Sequence, residues 1–171
     1  MTLHFLEPRS LAERHEARSL VREGLMIDIG GIGYIGVDLC RTAADRARLL
    51  ALSTPGMVFV RETALFIHTG WHTPYLQDGI DTLAKDVLPA GDVVIVGSQL
   101  VTSLERTAID LLTAREDKGI ELLCLLVRAG TSVDRIAKRA QELRIHGIVR
   151  VREILRQLPH DLGVVDASPI R

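Results

Sequence analysis

A chain of 171 residues with 21 Lys+Arg against 22 Asp+Glu carries a net charge of -1, so no global field draws it to nucleic acid or a membrane surface. A domain of this length buries roughly 70% of its unfolded surface, so neither metal nor disulfide staples are needed for folding. Cys40 and Cys124 lie far apart with no CxxC spacing, which argues against a disulfide framework or zinc knuckle.

Ser10 and Glu13 form a capping box, with the serine as N-cap and the glutamate reaching back to its backbone N–H. The helix is expected to run to Glu23, where Gly24 supplies a left-handed stop. Two apolar runs, residues 25–29 and 32–37, are joined by Gly30-Gly31 and read as a β-hairpin. A second helix is expected over residues 43–52, ended by Ser53-Thr54-Pro55-Gly56. Residues 57–60 read as a short strand, and residues 61–68 as a short helix stopped near Gly70. Pro74, Gly79 and Pro89 break the next stretch and leave one helical segment over residues 81–88.

Residues 92–96 are expected as a buried strand from their β-branched content. Thr102 and Glu105 then form a second capping box that opens a helix over residues 104–115. Helices follow over residues 120–129, 133–143 and 148–157, separated by Gly119, Gly130 and Gly147. Leu123, Leu126 and Val127 form an apolar stripe on one of them, and Ile136, Ala140 and Leu143 on the next. Cys124, within a leucine run, reads as a buried small hydrophobe.

Arg14, Arg18 and Arg22 fall at i, i+4 and i+8, so one face of the first helix is cationic. With the hairpin that follows, the order helix–strand–wing–strand matches the C-terminal half of a winged helix, and these arginines are the candidates for phosphate contacts. Glu13, Glu16 and Glu23 are interleaved, as on an ordinary solvated face. The two helices that precede a recognition helix have no counterpart here, so the element is a partial one. The glycine run from Gly30 to Gly36 lacks the Lys-Ser/Thr of a phosphate loop.

Arg106 and Asp110 sit one turn apart, a pair worth about 0.2–0.5 kcal/mol on a helix surface. A structural or partner-binding role requires Arg106 to be partly buried. His68 and His72 are four apart, as zinc ligands are on a helix. Gly70 and Pro74 interrupt that helix and no third ligand is placed, so a helix-ending histidine bonding the last carbonyls explains His68 more simply. No G-x-S-x-G, Cys–His neighbour or nuclease-like acidic pattern is present, so no catalytic residue, metal or cofactor is expected.

Three stretches resemble the AbiEi-type antitoxin and transcriptional-regulator family, including its actinobacterial relatives. Residues 20–35 are similar to its recognition-helix end and wing. Residues 60–68, with Glu62 and His68, look like its S-H-E-S-A-x-x-L-H-G helix. Residues 101–112 look like its V-T-S-P-x-R-T-x-x-D-L segment, with Thr102, Ser103, Arg106, Thr107 and Asp110 in register. The family's proline is replaced by Leu104, and Thr69 separates His68 from Gly70. Residues 146–171 resemble the join to a Vsr-like nuclease fold carried by some relatives.

The resemblance implies a non-enzymatic antitoxin or transcriptional regulator. Operator DNA and a functionally linked nucleotidyltransferase-like toxin are its expected partners. Glu62, His68, Thr102, Arg106 and Asp110 would form a partner-facing or structural motif. The alternatives are an interaction or oligomerisation module from a nuclease-fused relative, or a metal-dependent enzyme using His68 and His72. The expected fold class is α/β, more closely α+β. It would have a small sheet, a winged-helix-like remnant over residues 1–42, an α/β domain over 43–158, a mainly helical C-terminal half and a tail over 159–171. Without a basic-then-apolar leader or an apolar run long enough to span a bilayer, the expected compartment is the cytoplasm and no membrane partner is expected.

Overall fold

A computed structural model of the chain describes residues 6–28, 33–52, 54–71, 80–114, 118–159 and 162. The fold is α+β: seven α-helices accompany a two-stranded and a four-stranded sheet among the described residues. The chain divides into two compact units, Met1–Thr102 and Ser103–Arg171.

In the first unit, α1 (Leu11–Arg22) starts where Ser10 Oγ accepts the Glu13 N–H at 3.1 Å. The Glu13 carboxylate accepts the Arg9 N–H at 2.6 Å, one residue before the position a capping box uses. Gly24, at φ +73°, ends the helix. Leu25 N–H donates to Leu20 O at 2.9 Å and Gly24 N–H to Val21 O at 3.0 Å, the two bonds of a Schellman turn. The chain reverses into β1 (Met26–Asp28) and β2 (Tyr34–Gly36), an antiparallel hairpin with Ile27 opposite Ile35. Leu6 bridges the outer edge of β2 through bonds of 2.8 and 3.0 Å to Tyr34.

Strand alternation splits the hairpin between two cores. Ile27 and Ile35 join Leu49, Phe59, Phe66 and Val101 in the main core, while Met26 and Tyr34 pack with Ala17 and Val21 of α1. Helix α2 (Ala43–Leu50) opens on a capping box that the sequence reading did not identify: Asp45 N–H donates to Thr42 Oγ1, and Thr42 N–H to Asp45 Oδ2. Next come β3 (Val58–Phe59), α3 (Arg61–Thr69), β4 (Thr82–Leu83), β5 (Val93–Val96) and β6 (Gln99–Thr102). The sheet order is β4-β3-β6-β5; β3 and β6 are parallel and the other pairs antiparallel.

Three expectations need correction. Residues 81–88 are not a helix, because Thr82 and Leu83 pair with β3 and the rest of that span holds only the 3-10 turn Lys85–Val87. The backbone of Asp81 is held from both sides, its carbonyl by Val60 N–H at 3.1 Å and its N–H by Thr63 Oγ1 at 2.8 Å. β5 is not buried: it is an edge strand with Ile95 76% exposed, since β-branched content reports strand propensity rather than depth. Thr102 does not cap a helix. It ends β6, a strand the sequence reading missed, and its hydroxyl lies 3.4 Å from Phe59 O.

The second unit is helical: α4 (Leu104–Ala114), α5 (Gly119–Arg128), α6 (Val133–Glu142) and α7 (Ile148–Gln157). Ser103 Oγ accepts the Arg106 N–H at 3.2 Å, so the cap lies one residue later than expected. α4 packs against each of the other three helices. Leu123 and Leu126 are buried as the apolar stripe requires, as are Ile136, Ala140 and Leu143, while Val127 and Cys124 are only half-buried. Among the described residues, no helix is long and apolar enough to cross a membrane.

Candidate functional site

The surface of α1 is ordered by its burial. Ala17 and Val21 face the hairpin, and at about 100° per residue Arg14, Arg18 and Arg22 form a stripe along one flank of that buried line. Glu16 and Glu23 lie on the other side of the helix, with Glu16 about as far from the buried line as Arg22 is. All three arginines are exposed, and among the described residues their side chains form no ion pair or hydrogen bond. The neighbouring groove holds about 680 Å³ and is lined by Glu7, Pro8, Arg14, Arg18, Asp28, Gly33 and Tyr34. Arg22 is not part of its lining.

The sequence reading missed Glu7, Asp28 and Tyr34, which line the groove with Arg14 and Arg18. The Leu6–Tyr34 bridge brings Glu7 to the hairpin, and β1 carries Asp28 opposite Tyr34. The pairing is non-local, so spacing along the chain held no sign of it.

A second group lies where α3 ends beside the sheet. His68 Nε2 is 2.7 Å from Thr102 O. A carbonyl only accepts, so Nε2 carries the proton of this hydrogen bond. That carbonyl belongs to β6, not to the histidine's own helix. Glu62 stands in the first turn of α3 and is half-buried. Arg61, which starts α3, has φ +48°, an uncommon backbone state for a side-chain-bearing residue. His72 lies outside the described residues, and among those described no group of three or more His, Cys, Asp or Glu could hold a metal ion.

Arg46 is a further residue the sequence reading passed over. It is 7% exposed on the inner face of α2, and its guanidinium donates to backbone carbonyls at the end of α3 and before α2. Burial holds its pKa below the ordinary arginine value. Its place four residues before the buried Leu50 was the available signal. Nearby, burial pushes the Cys40 thiol up to about 11, followed in effect by Asp45, so it is a poor nucleophile at neutral pH.

In the second unit, Arg106 Nε donates to Asp110 Oδ1 at 2.9 Å, with side-chain exposures of 10% and 13%. Glu105, read as a capping partner of Thr102, accepts from Thr131 Oγ1 at 2.8 Å and pairs with Arg135 at 2.8 Å. The motif residues Arg106 and Asp110 are thus brought together, as are His68 and Thr102.

No protein-family model, curated protein or solved structure matches the chain.

Proposed function

We propose that the chain is a non-enzymatic, AbiEi-like regulator that holds operator DNA against α1 and the hairpin. The observation that carries this reading is the row of exposed arginines, Arg14, Arg18 and Arg22, with no internal ion pair among the described residues. Guanidinium forks match phosphate oxygens, and a stripe on one flank of a helix can follow a sugar–phosphate backbone. Glu16 and Glu23 share the exposed surface with the arginines, so the reading is confined to phosphate contacts by Arg14, Arg18 and Arg22. The resemblance supplies the setting: a cytoplasmic toxin–antitoxin operon with a nucleotidyltransferase-like toxin as the linked partner.

A mobility-shift titration against the chain's own promoter tests the reading. Each phosphate neutralised adds to the salt dependence, so replacing all three arginines by alanine should flatten the slope of log K against log salt by about 2.7. No shift at low salt, or an unchanged slope in the triple variant, overturns it. Antitoxin action is tested separately, by rescue of growth when the chain is co-expressed with the adjacent toxin.

A second reading, self-association, is favoured by β5. This edge strand is a run of four β-branched residues with no charge or proline to block pairing, and Ile95 is 76% exposed. Antiparallel pairing of β5 with its copy would join two sheets about a two-fold axis. Light scattering should then give a dimer that Ile95→Lys converts to monomer; a monomeric parent chain ends this reading.

A further inference from the structure

The groove beside α1 makes a different demand from the cationic stripe. Arg14 and Arg18 line it together with Glu7 and Asp28, so among the described residues the formal charges of its lining cancel. A polyanion laid along the exposed side of α1 can meet the arginines from outside, but inside the groove its phosphates would also share the space with Glu7 and Asp28. A bare phosphate is also far smaller than about 680 Å³, a volume in the ordinary range for small-molecule sites. The complementary ligand carries one anion for the arginines and N–H donors for the carboxylates.

A guanosine mononucleotide has both. Its single phosphate suits guanidinium forks one helical turn apart. Its base presents two adjacent N–H donors, which match the two oxygens of one ionised carboxylate. Additional phosphates would add negative charge to a groove that already holds two carboxylates, which favours the monophosphate over the triphosphate.

We infer that the groove lined by Arg14, Arg18, Glu7 and Asp28 is an effector site for a guanosine mononucleotide, and that its occupation withdraws two arginines from DNA. The competition rests on the proposed function; the binding does not.

Calorimetric titration of the full chain with guanosine monophosphate, adenosine monophosphate, guanosine triphosphate and inorganic phosphate tests the site. The guanosine monophosphate should bind about tenfold or more tighter than the other three. Arg18→Ala and Asp28→Asn should each weaken it by about tenfold, while circular dichroism remains that of the parent. Arg22→Ala, outside the groove, should leave nucleotide binding unchanged and weaken DNA binding. No heat with guanosine monophosphate up to about 5 mM overturns the site. Equal binding of all four probes, or an equal loss in Arg22→Ala, also overturns it, as an adventitious anion only.

A mobility shift repeated with the nucleotide separates the two claims. DNA binding without nucleotide binding removes the effector site and leaves the proposed function. Nucleotide binding without a DNA shift removes the proposed function and the competition, and leaves the site. Simultaneous binding with no loss of DNA affinity removes the competition.

Discussion

Arg46 holds the carbonyl of Ile67 with two N–H groups, Nε at 3.0 Å and Nη2 at 2.8 Å. Its Nη1 donates to Arg41 O at 3.0 Å and to Cys40 O at 3.2 Å. One planar fork thereby satisfies the end of α3 and the entry to α2, tying two elements that close the main core. The second unit repeats the device: Arg152 of α7 donates to Ala140 O at 3.0 Å, Gln141 O at 3.2 Å and Leu143 O at 2.9 Å, at the end of α6. In both, the carbonyls left over at a helix C-terminus are bonded by a cation, which also complements the helix dipole.

Replacing Arg46 should therefore act on stability. Arg46→Ala leaves several carbonyls without their donor and should cost about 2–4 kcal/mol in urea unfolding. Arg46→Lys should recover only a small part, because one ammonium cannot span the Ile67 and Arg41 carbonyls together. Recovery of more than half by lysine would show that charge, not the fork, is what matters.

The Arg106–Asp110 pair should behave as a buried ion pair, not as a surface one. With side-chain exposures of 10% and 13%, removing either partner leaves a poorly solvated charge, at a cost of about 3–5 kcal/mol. Both residues have other interactions, so a double-mutant cycle with Arg106→Met and Asp110→Asn is required to isolate the pair. A coupling energy below about 0.5 kcal/mol would return the pair to the class of exposed helix pairs.

Local signals in the chain were read well where one element decides its own form. Ser10 and Gly24 bound α1, Gly70 ends α3, and the span of α7 was predicted to the residue. What was missed depends on pairing across the chain. β6 was read as the approach to a helix because Thr102 and Glu105 mimic a capping box, yet Leu100 and Val101 pair with β3 and β5 on either side. Residues 82–83 look helical in isolation and become β4 only because β3 offers an open edge. The candidate site divides the same way. The row Arg14, Arg18, Arg22 was legible as a helical period, whereas Glu7, Asp28 and Tyr34 reach the groove through hairpin and bridge pairings.

The capping box of α2 should make stability depend on acid. Hydrogen bonds from the Thr42 hydroxyl and then its backbone N–H hold the Asp45 carboxyl below its usual 3.8. A carboxylate with a lowered folded pKa contributes stability above its unfolded value and loses it as pH falls through the folded one. Asp45→Asn should therefore melt below the parent at pH 7, with the gap narrowing once the pH drops under about 3.8. A gap constant from pH 7 to pH 2 would exclude the carboxylate as its source. Thr42→Ala should cost about 1 kcal/mol at neutral pH.

Gly97 and Gly24 both have positive φ, at +55° and +73°, but their surroundings differ, and that difference is testable. Gly97 and Ser98 make the two-residue turn between β5 and β6, with Ser98 at φ +73°. A Cβ on Gly97 would lie 2.7 Å from Ala44 Cβ and 2.9 Å from Ala44 O, so the turn rests directly on the first turn of α2. A Cβ on Gly24 meets nothing within 4 Å. Gly24→Ala should therefore cost only the left-handed backbone strain, about 1–2 kcal/mol. Gly97→Ala adds a clash with backbone atoms that cannot swing aside, and should cost about 2–4 kcal/mol while lowering hydrogen-exchange protection in β5 and β6. Equal losses in the two variants would mean that backbone conformation alone selects glycine at position 97.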